Sequence, residues 1–133
     1  MTIELSAPVR DFLRKPNPAV TATLASDGRP VTVATWYLLE ADDRVLVNLD
    51  ASRVRLRHLR HDPRFALDAL DGADWYTHVA LQLVATEITD DTDLADIDAL
   101  SRQYTGGPYS DRGSPRVSVR AEIGGVLAWG ALR

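Results

Sequence analysis

The sequence predicts a mainly β domain of six or seven antiparallel strands with two or three short helices, closed into a small barrel. Three observations carry this. Apolar residues alternate with period two over most of the chain. Turn signals such as Asp27-Gly28 and Gly124-Gly125 punctuate the runs. Helical spacing is confined to a few short stretches, and many short strands with hairpin turns imply a sandwich or a barrel. At 133 residues the chain reads as one domain, residues 1–133.

The elements follow in order. A first helix starts at Ser6 as N-cap and runs through Arg14, with Val9, Phe12 and Leu13 on one face. Lys15-Pro16-Asn17-Pro18 stops it, because proline cannot continue a helix. Residues 19–26 alternate as a strand. Asp27-Gly28 then makes a hairpin, since glycine tolerates the positive φ of the tight turn, and residues 29–40 return as the second strand. Residues 41–43 turn again, and 44–50 form a third strand. Residues 53–62 read as a short helix with Ser52 as a possible cap and with Leu56 and Leu59 facing the core. Residues 63–70 are a fourth strand and 74–89 a long fifth. Residues 90–104 form an amphipathic helix with acids in its first turns, where the helix dipole favours them. A polar loop, 105–115, leads to a final strand pair, 116–123 and 125–130, with Gly124 and Gly125 as turn or bulge.

Composition narrows the function. A chain of 45% hydrophobic and 26% charged residues is ordinary for a globular protein with a real core. With no cysteine there are no disulfides, thiolate nucleophiles or cysteine metal sites. There is no apolar run of about 18 residues for a membrane span. The N-terminal stretch carries Glu4 and Asp11 and does not read as a signal peptide, so a cytoplasmic location is expected. A pI near 5.2 argues against a general nucleic-acid binder. Fourteen Arg against one Lys, in an Ala-rich chain, hints at a high-GC bacterial source.

Against a net charge of -4, residues 53–64 hold Arg53, Arg55, Arg57, Arg60 and Arg64 with His58 and His61. Any one of these arginines reads equally well as a solvated helix face. As a set, like charges at neighbouring helix positions repel, so either nearby acids or a bound anion must compensate. The segment follows a strand and opens a helix, where free N–H groups and the dipole favour a phosphate. Arginine adds bidentate contacts, and Ser52 can cap the helix or offer its hydroxyl to the same group.

The residues "VTATLASDGRPVTVATWYLLEADDRVLVNLDASRVRLRHLRHDPRFAL", with Trp75-Tyr76 at the head of a strand and the closing "RVSVRAEIGGVLAWG", resemble the pyridoxamine 5'-phosphate oxidase-like split β-barrels. Within them the chain is most similar to actinobacterial oxidoreductases that use the deazaflavin coenzyme F-420. The segment ending Leu59-Arg60-His61-Asp62-Pro63-Arg64 is the specific part. The resemblance implies a split β-barrel and a homodimer with the cofactor in a groove between subunits. Arg53, Arg55 and His58 would bind the coenzyme's phosphate and acidic tail, with Ser52 beside them and Arg57 or Arg60 as further contributors. The strand from Pro30 to Tyr37, including Trp36, would line the ring, and Trp75 of the second subunit would cover it. The plain alternatives stay open: Trp36 and Trp75 as core or interface aromatics, Pro30 as a turn residue, His58 and His61 as surface residues, His78 as packing. The chain lacks the arginine-rich C-terminal segment of true pyridoxamine-phosphate oxidases, which argues against vitamin B6 oxidation.

No Ser-His-Asp set, Walker loop or metal-like cluster of His and carboxylates stands out. That suits a cofactor-borne reaction, in which the protein supplies binding, orientation and water exclusion. The expected reaction is hydride transfer from C5 of the reduced coenzyme to a conjugated small-molecule acceptor, with no protein nucleophile and with Tyr37 or Tyr76 as proton-donor candidates. The alternatives are an FMN-dependent reductase or oxidase on the same barrel, and a non-catalytic coenzyme-binding protein.

Overall fold

The computed structural model describes residues 3–133. The chain forms α1 (Ala7–Leu13), β1 (Ala19–Leu24), β2 (Pro30–Thr35), β3 (Leu38–Leu39), β4 (Val45–Asp50), α2 (Val54–His61), β5 (Arg64–Leu70), β6 (His78–Asp90), α3 (Ala95–Thr105) and β7 (Arg116–Ala128), and ends in a 3-10 turn, Gly130–Leu132. All strand pairs are antiparallel, in one seven-stranded sheet of order β2-β1-β5-β6-β7-β4-β3. The expected mainly β split barrel is therefore observed. Among the described residues no helix is long and apolar enough to cross a membrane.

The two edge strands, β2 and β3, are consecutive in the chain and separated only by Trp36 and Tyr37. Three Cα steps span at most about 11 Å, so the sheet must curl until its edges nearly meet. The predicted single strand over residues 29–40 is thus two strands on opposite edges. Tyr37 fixes the crossing. It is fully buried, its hydroxyl donates to the Leu13 carbonyl at 2.8 Å, and it accepts from Asn17 Nδ2 at 2.9 Å. Burial pushes its phenol well above the usual range.

Inside the curl lies the main core. Leu67, Leu81, Leu83, Val119 and Ile123 of the sheet pack with Phe12 and Leu13 of α1 and Leu56 and Leu59 of α2. Each such leucine contributes roughly 1.5–3 kcal/mol by leaving water. Ser6 caps α1 as expected, its Oγ accepting from the Val9 N–H. Strand β4 is buried on both faces because α3 covers its outer side, where Leu46, Ile97 and Leu100 form a second cluster.

Other expectations are corrected. Residues 116–128 are one strand, not a pair. The register passes from Gln82↔Gly125 to Leu83↔Ile123, so Gly124 is an unpaired bulge residue that bends β7 without reversing it. Ser52 does not cap α2. The N-cap is Arg53, and the Ser52 hydroxyl donates instead to Asp50 Oδ1 at 2.7 Å. Gly28 does turn the first hairpin, at φ +87.

Helix α3 starts after Leu94, a non-glycine residue at φ +62. Its first amides are satisfied from outside the helix by Asp91, whose carboxylate accepts from the Asp96 and Ile97 N–H groups. The loop that follows α3 is latched by Asp98. Its carboxylate accepts from the Tyr109 N–H at 3.0 Å and from Arg112 at 2.6 and 3.2 Å. Arg112, and then the Tyr109 N–H, hold this carboxyl below the usual aspartate range.

Two outcomes follow from these contacts. Tyr37→Phe strands the Leu13 carbonyl and one Asn17 N–H, and is expected to cost about 1–2 kcal/mol in urea unfolding; an unchanged midpoint would show that the crossing is held by shape alone. Asp98→Asn removes the charge that both partners use. Amides of the 106–114 loop should then exchange with deuterium about tenfold faster while the sheet is unaffected, because a charge-assisted hydrogen bond is lost. Because the folded-state pKa of Asp98 is lowered, wild type should lose the same protection only as pH falls through and below the normal aspartate range; protection unchanged down to pH 2 would contradict the latch.

Candidate functional site

A cavity of about 620 Å³ opens between the start of β1, the end of β2 and the α3 side of the molecule. Its floor includes Ala19, Val20, Ala34 and Leu70. Its wall is aromatic: Trp36 stacks on Tyr104 with centroids 5.3 Å apart and planes 8° apart, and meets the Tyr109 ring edge-on. Tyr104 is anchored, donating to the Asn17 carbonyl at 2.7 Å, and burial pushes its phenol up to about 12.

The polar end of the cavity is Asn48 and Arg116. Arg116 Nε donates to Asn48 Oδ1 at 3.0 Å, and the guanidinium lies over the Tyr109 ring, 5.0 Å from its centroid. It makes no ion pair among the described residues, although Asp50 and Asp111 feel its charge. Asn48 is itself fixed, its Nδ2 donating to Asp91 Oδ2 and to Ser118 Oγ, each at 3.1 Å.

The arginine segment begins beside this end. Asp50, the last residue of β4, pairs in register with Arg116, and α2 starts four residues later with Arg53 as its N-cap. Arg55 is half-buried against a small crevice lined by Thr21, Thr23, Val47 and Leu59. It makes no ion pair with the described residues. Burial, and then the charges of Arg53 and Arg116, push its guanidinium below the ordinary value. Asp50 is the carboxylate close enough to feel both Arg53 and Arg116, and its Oδ1 is taken by the Ser52 N–H and hydroxyl. Arg53 and Arg116 thus both act on Arg55, although of the three only Arg116 lines the aromatic-walled cavity, and Asp111 as well as Asp50 feels the charge of Arg116.

The remaining expected residues scatter. His58 Nδ1 lies 2.9 Å from Thr23 Oγ1, which ties α2 to β1. Arg57 and Arg60 are exposed, and Arg64 is paired with Asp62 at 2.7 Å. Pro30 heads β2 but lines a separate trough with Ala22, Arg64 and Gly124 on the outer face of the sheet. It does not share the cavity with Trp36. Trp75 and Tyr76 sit in the turn before β6, 75% and 58% exposed, and do not line the cavity. Tyr37 is excluded as a proton donor because its hydroxyl is sealed in the core.

Sequence reasoning missed Arg116, Asn48, Tyr104 and Tyr109. Asn48 did carry a signal, a lone amide inside the apolar run "VLVNLD". Arg116 carried none, because only the β4–β7 register brings it to the arginine segment.

Comparisons with known proteins place this geometry. The profile of the pyridoxamine 5'-phosphate oxidase family matches residues 5–130. No curated protein matches at a significant level. Among solved structures, an F420 reductase superposes with a TM-score of 0.80 at 20% identity, covering 89% of this chain and 94% of that one. A conserved hypothetical protein, Rv2991 from Mycobacterium tuberculosis, superposes at 0.75 with 26% identity, over 96% of this chain and 86% of that one. The heme storage protein HutZ from Vibrio cholerae superposes at 0.66 with 15% identity, over 96% of both chains. The first and third of these likenesses are likenesses of fold. With a profile match over nearly its whole length and the split-barrel sheet that carries it, the chain belongs to the pyridoxamine 5'-phosphate oxidase family.

Proposed function

We propose that the protein is an oxidoreductase dependent on the deazaflavin coenzyme F-420, acting on a conjugated small-molecule acceptor and working as a homodimer. The observation that carries this reading is the half-buried Arg55, which has no ion-pair partner among the described residues and feels the charges of Arg53 and of Arg116, the cation that lines the polar end of the aromatic cavity.

The residues fit such a group. A half-buried cation facing other cations is costly unless an anion completes it. A phosphate bound by Arg53, Arg55 and Arg116 would leave a planar ring system in the apolar part of the cavity, against Trp36 and the strand floor. The exposed Arg57 and Arg60 continue the positive strip along α2 beyond what one phosphate needs. That favours a coenzyme with a longer acidic tail over FMN. Bound there, the reduced coenzyme supplies a hydride from C5 to the acceptor. The chain's part is to hold the phosphate, orient the ring and keep water from the apolar floor. With Tyr37 sealed and the Tyr104 hydroxyl committed to Asn17, the proton that follows comes from solvent or from the acceptor's own surroundings.

The dimer reading rests on the cavity's open side. Val20, Ala34 and Leu70 line the cavity and also belong to the outward face of the sheet, where Val20 and Leu127 are exposed. A second copy on that face would close the cavity's rim and bring its Trp75 turn within reach.

The test is titration with F-420 and, in parallel, with FMN, followed by tryptophan fluorescence. F-420 is expected to bind more tightly than FMN. Arg55→Met and Arg116→Met are each expected to weaken F-420 binding by roughly 10–100-fold, the loss of one charge-assisted contact, and to flatten its salt dependence. Tighter FMN binding would move the protein to the flavin branch. Unchanged affinity in both variants would remove the anion site.

A further inference from the structure

One ring touches both ends of the cavity. Tyr109 meets Trp36 edge-on, with centroids 6.1 Å apart and planes at 85°, and the Arg116 guanidinium lies 5.0 Å from the centroid of the same ring, over its face. Trp36 belongs to the aromatic wall and Arg116 to the polar end. Tyr109 is itself held through its backbone. Its N–H donates to Asp98 Oδ1 at 3.0 Å, and its carbonyl accepts from Arg112 Nη1 at 3.2 Å. Arg116 has other calls on its charge. Asp50 and Asp111 both feel it, and the side chain also borders a second crevice of about 320 Å³ whose lining includes Asp90 and Asp91.

We infer that Tyr109 is a positioning residue for the anion end of the site: its ring holds the Arg116 guanidinium at a fixed place relative to Trp36, so that a ligand carrying a planar ring and an anion on one frame is favoured over the ring alone. The inference rests on the anion site proposed above and adds the residue that sets its geometry. A carboxylate that captured Arg116 would neutralise it. An aromatic face attracts the cation through its quadrupole and leaves the charge in place. It also leaves the donor edge of the guanidinium open to bidentate contacts. The hydrogen bonds of Arg116 to described residues run from Nε and Nη2 to Asn48, and none uses Nη1. The bond to Asn48 ties one edge but lets the guanidinium plane tilt, and the Tyr109 ring removes that tilt. Tyr109 acts through Arg116, and Asp98 acts through Tyr109.

The experiment titrates two ligand pairs, each a ring with and without its anion: F-420 against its phosphate-free deazaflavin ribitol core, and FMN against riboflavin. The readout is the ratio of affinities within a pair, which cancels changes in binding of the ring itself. Wild type is expected to prefer F-420 over its core by roughly 100-fold. Tyr109→Leu should lower that preference roughly tenfold, while Tyr109→Phe keeps the ring and should stay within about threefold of wild type. In an Arg116→Met background Tyr109→Leu should lower it no further. If Tyr109→Leu leaves the preference intact while Arg116→Met lowers it, the Tyr109 inference is wrong and the anion site stands. An equal loss from Tyr109→Leu in both backgrounds also overturns the inference, since the ring then acts apart from Arg116. If only FMN is preferred over its phosphate-free partner, the coenzyme assignment fails and the same variants decide on that pair. If wild type prefers the anionic member of neither pair, the anion site fails and the inference with it. Should Tyr109→Leu misfold, judged by its thermal melt, Tyr109→Ala decides.

Discussion

The two residues between β2 and β3 constrain everything else in this fold. Because Trp36-Tyr37 must carry the chain from one edge of a seven-stranded sheet to the other, the sheet has to close on itself. The crossing is stable because Tyr37 points inward and finds two partners for its hydroxyl, the Leu13 carbonyl and the Asn17 amide. A buried phenol without them would cost more than its ring contributes. Adjacent residues in an extended segment point to opposite sides, so Trp36 is turned outward into the cavity. The closure of the barrel and the aromatic wall of the candidate site are one structural event.

A second dependence runs through Asn48. Its buried amide ties β4 to Ser118 on β7 and to Asp91, and Asp91 satisfies the first amides of α3. The same side chain accepts from Arg116. Helix α3, which presents Tyr104, and the cation at the cavity's end therefore share one anchor. The Arg120 guanidinium reinforces it, pairing with Glu40 and with Asp96, which in turn accepts from Ser118. In a low-dielectric junction such a network is stiff because each member is satisfied. Stiffness here means that the charge of Arg116 is held in place before any ligand arrives.

Much of the fold was legible in the sequence, because period-two alternation and turn residues are local signals. The first helix, the Asp27-Gly28 hairpin and the mainly β class all followed from them. The errors came where local signals say nothing about partners. Residues 31–39 contain no turn residue, so nothing marks the change of edge at Trp36. Gly124-Gly125 looks like a turn, and only the pairing with β6 shows that one residue is bulged out. Ser52 suits a cap by type, but the nearer acceptor Asp50 takes its hydroxyl. The site was half legible: the arginine cluster is visible in one dimension, whereas Arg116, Asn48 and the tyrosines are brought to it by strand register and by α3.

The fate of the charges explains how an acidic chain keeps a basic site. Five of the nine arginines outside the 53–64 segment are matched to carboxylates: Arg10 to Asp43, Arg29 to Asp27, Arg44 to Asp42 and Glu87, Arg112 to Asp98, Arg120 to Glu40 and Asp96. Within the segment Arg64 is matched to Asp62. By contrast Arg53, Arg55 and Arg116 make no ion pair among the described residues, and the carboxylates that feel Arg116, Asp50 and Asp111, are bonded to their own neighbouring residues. Net charge therefore says little about this protein's ligand. On the proposed reading, what would select an anion is a local excess of cations, one of them half-buried, where burial limits screening by water. On the proposed reading the negative remainder of the surface works in the same direction, since it disfavours anions elsewhere.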